Sequence, residues 1–225
     1  MTKLLPPAAG DAELAEVIAS GAAQLQVEID PARVSRLVVY LHLIEHWNAT
    51  YNLTAVRNVH VMATQHIVDS LSAIPTLRRL LRESGRSQVL DVGSGAGLPG
   101  VVMAIVDPHI EVTCVDSVGK KVAFIIQASG ALALRNLSAV HGRVEAMSPP
   151  PAYDVVVSRA FASLTDFVTS TRHLLSPGGW WMAMKGKVPH QELMEAERRC
   201  LTLEVEPLKV PGLDAERCLV LGQPK

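Results

Sequence analysis

The sequence predicts an α/β fold: a doubly wound, mostly parallel seven-stranded sheet with an N-terminal helical extension. Three observations predict it. From residue 88 onward, short β-branched runs alternate with helical patterns, the rhythm of a parallel sheet covered on both faces. The first of these runs, "VLDVGSGAGLPGVVMAI" (89–105), passes through a cluster of glycines into a helix, and open α/β sheets hold ligands at such turns. Ahead of it, up to about residue 75, the only periodicity is helical.

The extension contains helices over 11–27 and 31–48. Asp30 is placed to cap the second and Pro31 sits at its first position. Leu37, Tyr40, Leu41 and Ile44 then recur at helical spacing. "WNATYNLTAVRN" (47–58) breaks the pattern and reads as a loop, followed by a helix over 59–72. The extension (1–75) has no sheet of its own and is expected to pack on the main domain (76–225). Strands are expected near 88–93, 111–116, 137–140, 153–158 and 179–185, with helices near 98–106, 119–133, 162–174 and 190–200. Two last strands, 202–209 and 216–222, are separated by too short a segment for a parallel crossover, so they pair antiparallel.

The 225 residues are 48% hydrophobic and 19% charged, which supports an ordinary globular core. A net charge of −1 excludes a protein coated in positive charge but leaves room for a local basic groove. Cys114, Cys200 and Cys218 lie far apart and form no CxxC, which argues against a disulfide framework or zinc site and fits a reducing compartment. Prolines and acids stand where a signal peptide needs an apolar core, and no apolar run is long enough to span a membrane. A cytoplasmic protein is expected.

"GAGLPG" (95–100) matches GxGxxG, but Val101 and Val102 replace the lysine and hydroxyl residue of a phosphate loop. Asp116 closes the second strand and can hold ribose hydroxyls of either a nicotinamide cofactor or S-adenosylmethionine. The residues before the turn discriminate better. Asp91 at the end of the first strand would repel a pyrophosphate but can meet a methionine ammonium group, directly or through water. Glycines at 93, 95 and 97 let the backbone approach that ligand closely. Pro99 pre-sets the helix start and removes an N–H that a pyrophosphate would use. S-adenosylmethionine is the favoured cofactor, with a dinucleotide as the alternative.

Five segments then carry a family resemblance: "YNLTAVRN" (51–58), "HIVDSL" (66–71), "DVGSGAGLPG" (91–100), "DSVGKKVAF" (116–124) and "VSRAFASL" (157–164). From about residue 37 to 222 the chain resembles the bacterial small-subunit ribosomal RNA methyltransferase family that makes 7-methylguanosine in 16S rRNA, formerly named glucose-inhibited division protein B. The resemblance implies a Rossmann-like class I methyltransferase fold. It implies cofactor contacts at Gly93, Gly95, Leu98, Asp116, Val144, Glu145 and Arg159. It also implies 16S rRNA, a small subunit or an assembly intermediate as partner; a monomer without a metal is expected. The family's late "ERHLV" reads "ERCLV" (216–220) here, so no role is carried onto Cys218.

Guanine N7 is an in-plane lone pair, unprotonated at neutral pH, so methyl transfer to it needs no general base and rests on positioning. A bidentate arginine on O6 and N7 would block the reacting atom. Arg159 is therefore read as a positioning residue: a cofactor or phosphate contact, or a donor to O6 alone. Phe161 is the candidate for base stacking, with core packing as its plain alternative. Arg57, Lys120, Lys121, Lys185 and Lys187 are candidate phosphate contacts, Lys120, Lys121 and Lys185 foremost because they lie at or just beyond strand ends. "HLIEH" (42–46) matches the inverted zinc-protease pattern, but reads better as the polar side of an amphipathic helix. Two functions of other classes stay open: a non-catalytic nucleotide-binding regulatory or division protein, and an NAD-type oxidoreductase.

Overall fold

The computed structural model describes residues 10–84, 87–148, 152–159, 161 and 163–225. Residues 1–9 of the expected extension, residues 85–86, 149–151 and 160 of the main domain, and residue 162 at the start of the helix expected over 162–174, lie outside the described residues.

Seven strands form one sheet: β1 (Gln88–Val92), β2 (Glu111–Asp116), β3 (Leu137–His141), β4 (Tyr153–Ser158), β5 (Leu175–Lys185), β6 (Cys200–Leu208) and β7 (Arg217–Pro224). Their order is β3-β2-β1-β4-β5-β7-β6. The first five run parallel, and β7 enters antiparallel between β5 and β6. The short last connection thus makes the antiparallel pair that its length requires, and the chain reverses so that β7 lies inside the sheet. The central strand β4, "YDVVVS", is buried at every position, as a strand covered on both faces must be. Where the chain leaves β1 and turns to β4 the strand order reverses, which opens a crevice at the carboxyl ends of the strands.

Helices α1 (Asp11–Gln24), α2 (Pro31–Tyr51), α5 (Ile74–Ser84), α6 (Gly100–Val106) and α7 (Gly119–Ala131) share one buried cluster with β1 and β2 on one side of the sheet. On the other side α8 (Leu164–Thr171) and α9 (His190–Ala196) bury Phe167, Trp181 and Val220. Asp30 caps α2 by accepting the Arg33 N–H at 2.7 Å, with Pro31 at the first position as expected. Tyr40 of α2 is fully buried, and its hydroxyl donates to the Ala96 carbonyl of the glycine turn. The extension therefore bears directly on the turn.

Several helical assignments differ from the sequence expectation, and α1 and α9 end at Gln24 and Ala196, short of the expected 27 and 200. The residues expected to open a loop at 47 continue α2 to Tyr51, and Asn52 stops the helix with φ +50°. Buried Asn48 explains this. Its amide donates to the Val56 carbonyl and its oxygen accepts from the Thr54 N–H, both at 2.9 Å, so a helical residue holds the loop that follows. α5 was not expected, although Leu77, Leu80 and Leu81 are spaced at 0, 3 and 4 and all are buried. The helix expected over 59–72 forms as α3 (Val59–Met62), a π turn (Ala63–Val68) and α4 (Asp69–Leu71).

Candidate active site

The glycine turn forms the floor of a cleft at the carboxyl ends of β1 and β2. The N–H groups of Gly93 and Ser94 both donate to the Val115 carbonyl, at 2.9 and 3.2 Å, and tie the turn to β2. Gly93, Gly95 and Gly97 adopt φ of +68°, +59° and +82°, a region that costs other residues about 1–2 kcal/mol. A Cβ at Gly93 would meet nothing within 4 Å. The open space above it belongs to a cleft of about 350 Å³ bordered by Gly93, Asp116, Lys121, Val144, Glu145 and Phe161. Asp116 accepts the Gly95 N–H on Oδ2 at 2.9 Å and the Val118 N–H on Oδ1 at 2.8 Å. Each of its oxygens keeps a second acceptor position for a ligand hydroxyl. The open glycine and the anchored carboxylate fit S-adenosylmethionine: room for a ligand against bare backbone, and an acid for ribose.

Gly95, whose N–H is held by Asp116, does not border this cleft, and neither do Asp91 and Leu98. Asp91 is fully buried beneath the start of α6, where its Oδ2 accepts the Gly100 N–H at 2.9 Å. It caps a helix rather than meeting an ammonium group directly. Burial pushes its pKa up to about 6, and its other oxygen has no partner. Leu98 is also buried, its side chain packed into the core under the turn. Only its backbone is left to approach a ligand. α6 begins at Gly100 and not at the expected residue 98, because residues up to Pro99 still belong to the turn.

A second cavity, of about 340 Å³, lies on the other side of the β4 end. Arg159, just past β4, lines it, whereas Phe161 borders the cleft over Gly93. Asp69, buried, accepts from Arg217 Nε at 2.8 Å and from Arg159 Nη1 at 3.5 Å. Arg159 Nη1 also donates to the Gln65 carbonyl at 3.3 Å. Lys185 lines the cavity and donates to Glu192 Oε2 at 2.8 Å. Sequence reasoning singled out Arg159 and Lys185 but missed His66, Asp69 and Arg217. The segments "HIVDSL" and "ERCLV" hold those three residues, yet nothing in their spacing says that they meet.

The other candidates fall in separate places. Arg57 donates to the Asn48 carbonyl at 2.8 Å and to Asn52 Oδ1 at 2.6 Å, so it braces the loop after α2. Lys120 and Lys187 are exposed. Lys121 borders the cleft over Gly93, 3.9 Å from Asp116 Oδ2, away from the cavity that Lys185 lines. Phe161 is half-buried, its ring 5.6 Å from that of Phe167. Cys218 is buried in β7 opposite Lys185. His42 joins α2 to α1 through Asp11 at 2.7 Å. Burial opposes its charge, but the bonds to Asp11 and Glu45 prevail and raise its pKa. Among the described residues no group of three His, Cys, Asp or Glu is placed to hold a metal ion, and no helix is long and apolar enough to cross a membrane.

Asp91 and His66 give the fold opposed pH responses. Burial, reinforced by the positive charge of Arg159, drives the His66 pKa down from 6.5 to about 4. Below pH 6.5 the unfolded chain takes up a proton that folded His66 refuses, so this residue costs stability as pH falls towards 4. Asp91 runs the other way: its pKa rises from 3.8 to about 6, so the folded chain binds the proton first and gains stability over nearly the same window. Each contribution is worth roughly 3 kcal/mol when fully developed. Chemical denaturation between pH 4 and 6.5 is expected to show His66→Gln gaining stability towards acid relative to the parent, and Asp91→Asn losing it. Parallel pH profiles for all three proteins would contradict this.

A family model described as "rRNA small subunit methyltransferase G" matches residues 33–220. The chain is similar to the ribosomal RNA small subunit methyltransferase G of Polaromonas naphthalenivorans, 48% identical over 96% of this chain and 99% of that protein. It is also similar to that of Methylibium petroleiphilum, 50% identical over 92% and 93%. Solved structures share the fold at low identity. One is the PH0226 protein of Pyrococcus horikoshii (TM-score 0.54, 15% identity, 80% of this chain and 99% of that one). Another is the glycopeptide N-methyltransferase MtfA complexed with (S)-adenosyl-L-methionine (TM-score 0.53, 14% identity, 66% of this chain and 86% of that one).

Proposed function

The chain belongs to the rRNA small subunit methyltransferase G family, and from that membership we propose that it transfers a methyl group from S-adenosylmethionine to N7 of one guanosine in 16S rRNA. The observation that carries the reading is the open cleft over Gly93 with Asp116 anchored at its wall. When bound there, the cofactor supplies an electrophilic sulfonium methyl. Gly93 offers bare backbone, Asp116 offers acceptors for ribose hydroxyls, and Val144 and Glu145 close the adenine side. Phe161 borders this cleft and is read as the residue that stacks on the acceptor base. Arg159 and Lys185 hold positive charge beside the second cavity, where an RNA phosphate can be received.

The residues need supply no general base, because N7 carries no proton at neutral pH. Their work is to bring the acceptor into line and to exclude water. The family likeness favours this reading over a regulatory or division protein without catalysis, and over an oxidoreductase. We read the enzyme as a monomer acting in the cytoplasm on 16S rRNA or a particle that contains it.

Two measurements test the proposal. Saturating S-adenosylmethionine, unlike NADH, is expected to raise the melting temperature by mass action. Mass mapping of 16S rRNA from cells with and without the protein is expected to show one 7-methylguanosine that depends on it. An unchanged inventory of that nucleoside would reject the activity.

A further inference from the structure

We propose that Tyr51, the last residue of α2, stacks on an unpaired base of 16S rRNA near the acceptor guanosine. The proposal rests on the reading that 16S rRNA is the substrate, and adds to it a contact outside both cavities. The chain has three tryptophans, three tyrosines and three phenylalanines. Tyr51 is the only one of these that is exposed, with 40% of its surface open to solvent. Its ring is also supported from behind. It lies 5.0 Å from the ring of half-buried Trp47, tilted by 38°. Trp47 in turn meets buried Phe124 of α7 edge-on, at 5.5 Å. An open aromatic face on a packed support suits a nucleobase, because every base has a π-face and a ring already held loses little freedom on binding.

Position and charge both favour RNA as the partner. The end of α2 is tied to each cavity by short links. Phe124 lies one turn along α7 from Lys121, which borders the cleft over Gly93. Asn48 accepts the Thr54 N–H, and Thr54 Oγ1 is 2.9 Å from Nε2 of His66, which lines the cavity beside Arg159. Arg57 lies across the same turn, bonded to the Asn48 carbonyl and to Asn52 Oδ1, and stays exposed. Lys120, also exposed, stands one turn before Phe124. Residues 47–60 and 117–131, which build this surface, contain no aspartate or glutamate, in a chain that has 22. Acids from elsewhere reach His60, from Glu13, and Lys121, from Asp116, each at 3.9 Å. Among the described residues Arg57 and Lys120 form no ion pair. Cations around one open ring suit single-stranded nucleic acid, whose bases stack on the ring while its phosphates meet the charges. An acceptor base whose N7 is brought to the cofactor leaves its own stack, and this frees neighbouring bases for such a contact.

The test separates a stacked base from a structural role. Small subunits from cells lacking the protein serve as acceptors, and methyl incorporation from labelled S-adenosylmethionine is measured against subunit concentration. Tyr51→Ala is expected to raise KM for subunits by roughly 10-fold. Its kcat should be unchanged, as for a contact made equally before and during the reaction. Tyr51→Phe and Tyr51→Trp keep a ring and are expected to match the parent. The rise in melting temperature with S-adenosylmethionine should persist in all three, since the residue is exposed and outside the cleft. On irradiation, p-azidophenylalanine placed at residue 51 is expected to crosslink to 16S rRNA. An unchanged KM in Tyr51→Ala overturns the proposal. So does Tyr51→Phe behaving like alanine, because the hydroxyl and not the ring would then make the contact. Loss of the cofactor response in Tyr51→Ala overturns it too, by showing that the ring serves the fold, as does crosslinking to ribosomal protein alone. Failure of the unaltered enzyme to methylate the subunits at all instead rejects the function on which the proposal stands.

Discussion

Gly93→Asp is expected to abolish S-adenosylmethionine binding while leaving the protein folded. A side chain at residue 93 meets nothing within 4 Å, so no packing is disturbed. The backbone there has φ +68°, which costs an aspartate about 1 kcal/mol, less than most residues because Asp tolerates this region. That is a small share of a typical stability of about 5–15 kcal/mol. The new carboxylate instead occupies the cleft opposite Asp116, adding bulk where the ligand lies and a like charge beside an existing acid. In the parent protein, cofactor at 100 times its dissociation constant should add about 2.7 kcal/mol of stability. The variant should show none of that gain in a melt with and without cofactor, and no heat on titration. Normal affinity in Gly93→Asp would show that the cleft over the turn is not the cofactor site.

Gly100→Val, seven residues further on, is expected to do the opposite: to unfold the protein or destabilise it by about 3 kcal/mol or more. A Cβ there would stand 2.6 Å from Cys114 Sγ, 2.8 Å from Asp91 Oδ2 and 3.0 Å from Asp91 Cβ. These atoms have little room to retreat, since Cys114 and Asp91 are themselves fully buried, facing each other in the paired strands β2 and β1. Overpacking of a dense core costs about 1–3 kcal/mol by itself. Here it also displaces the carboxylate that accepts the Gly100 N–H, leaving a second buried polar group unmet at about 1–3 kcal/mol. Guanidinium denaturation reads the loss directly. A midpoint unchanged from the parent would mean that β1 and α6 are not in close contact at this glycine. The two glycines belong to one motif, yet one faces the open cleft and the other faces the core.

Much of the fold was legible in the sequence because it rests on local repetition. Alternating β-branched runs and helical patterns mark the parallel strands, and the short "PGLDAE" segment forces the antiparallel pair. The Asp30–Pro31 cap marked α2 for the same local reason. Where a distant partner overrules local pattern, the reading failed. Asn48 reaches forward to Thr54 and Val56 and so keeps "WNATY" helical. Asp91 looked like a ligand contact because an acid ends the strand, but which way its carboxylate turns depends on α6 folding back over β1.

The sequence by itself determined the sheet, the glycine turn at the end of its first strand, and the acid that closes its second. Those features follow from the chemistry of neighbouring residues. Only the tertiary structure decided that Asp69 joins Arg159 and Arg217, the latter 148 residues away, and that His66 lines the same cavity. The physical reason is that periodicity records which face of an element is apolar, whereas the meeting of polar side chains from one broken helix and the ends of separate strands is set by how the whole sheet is wound.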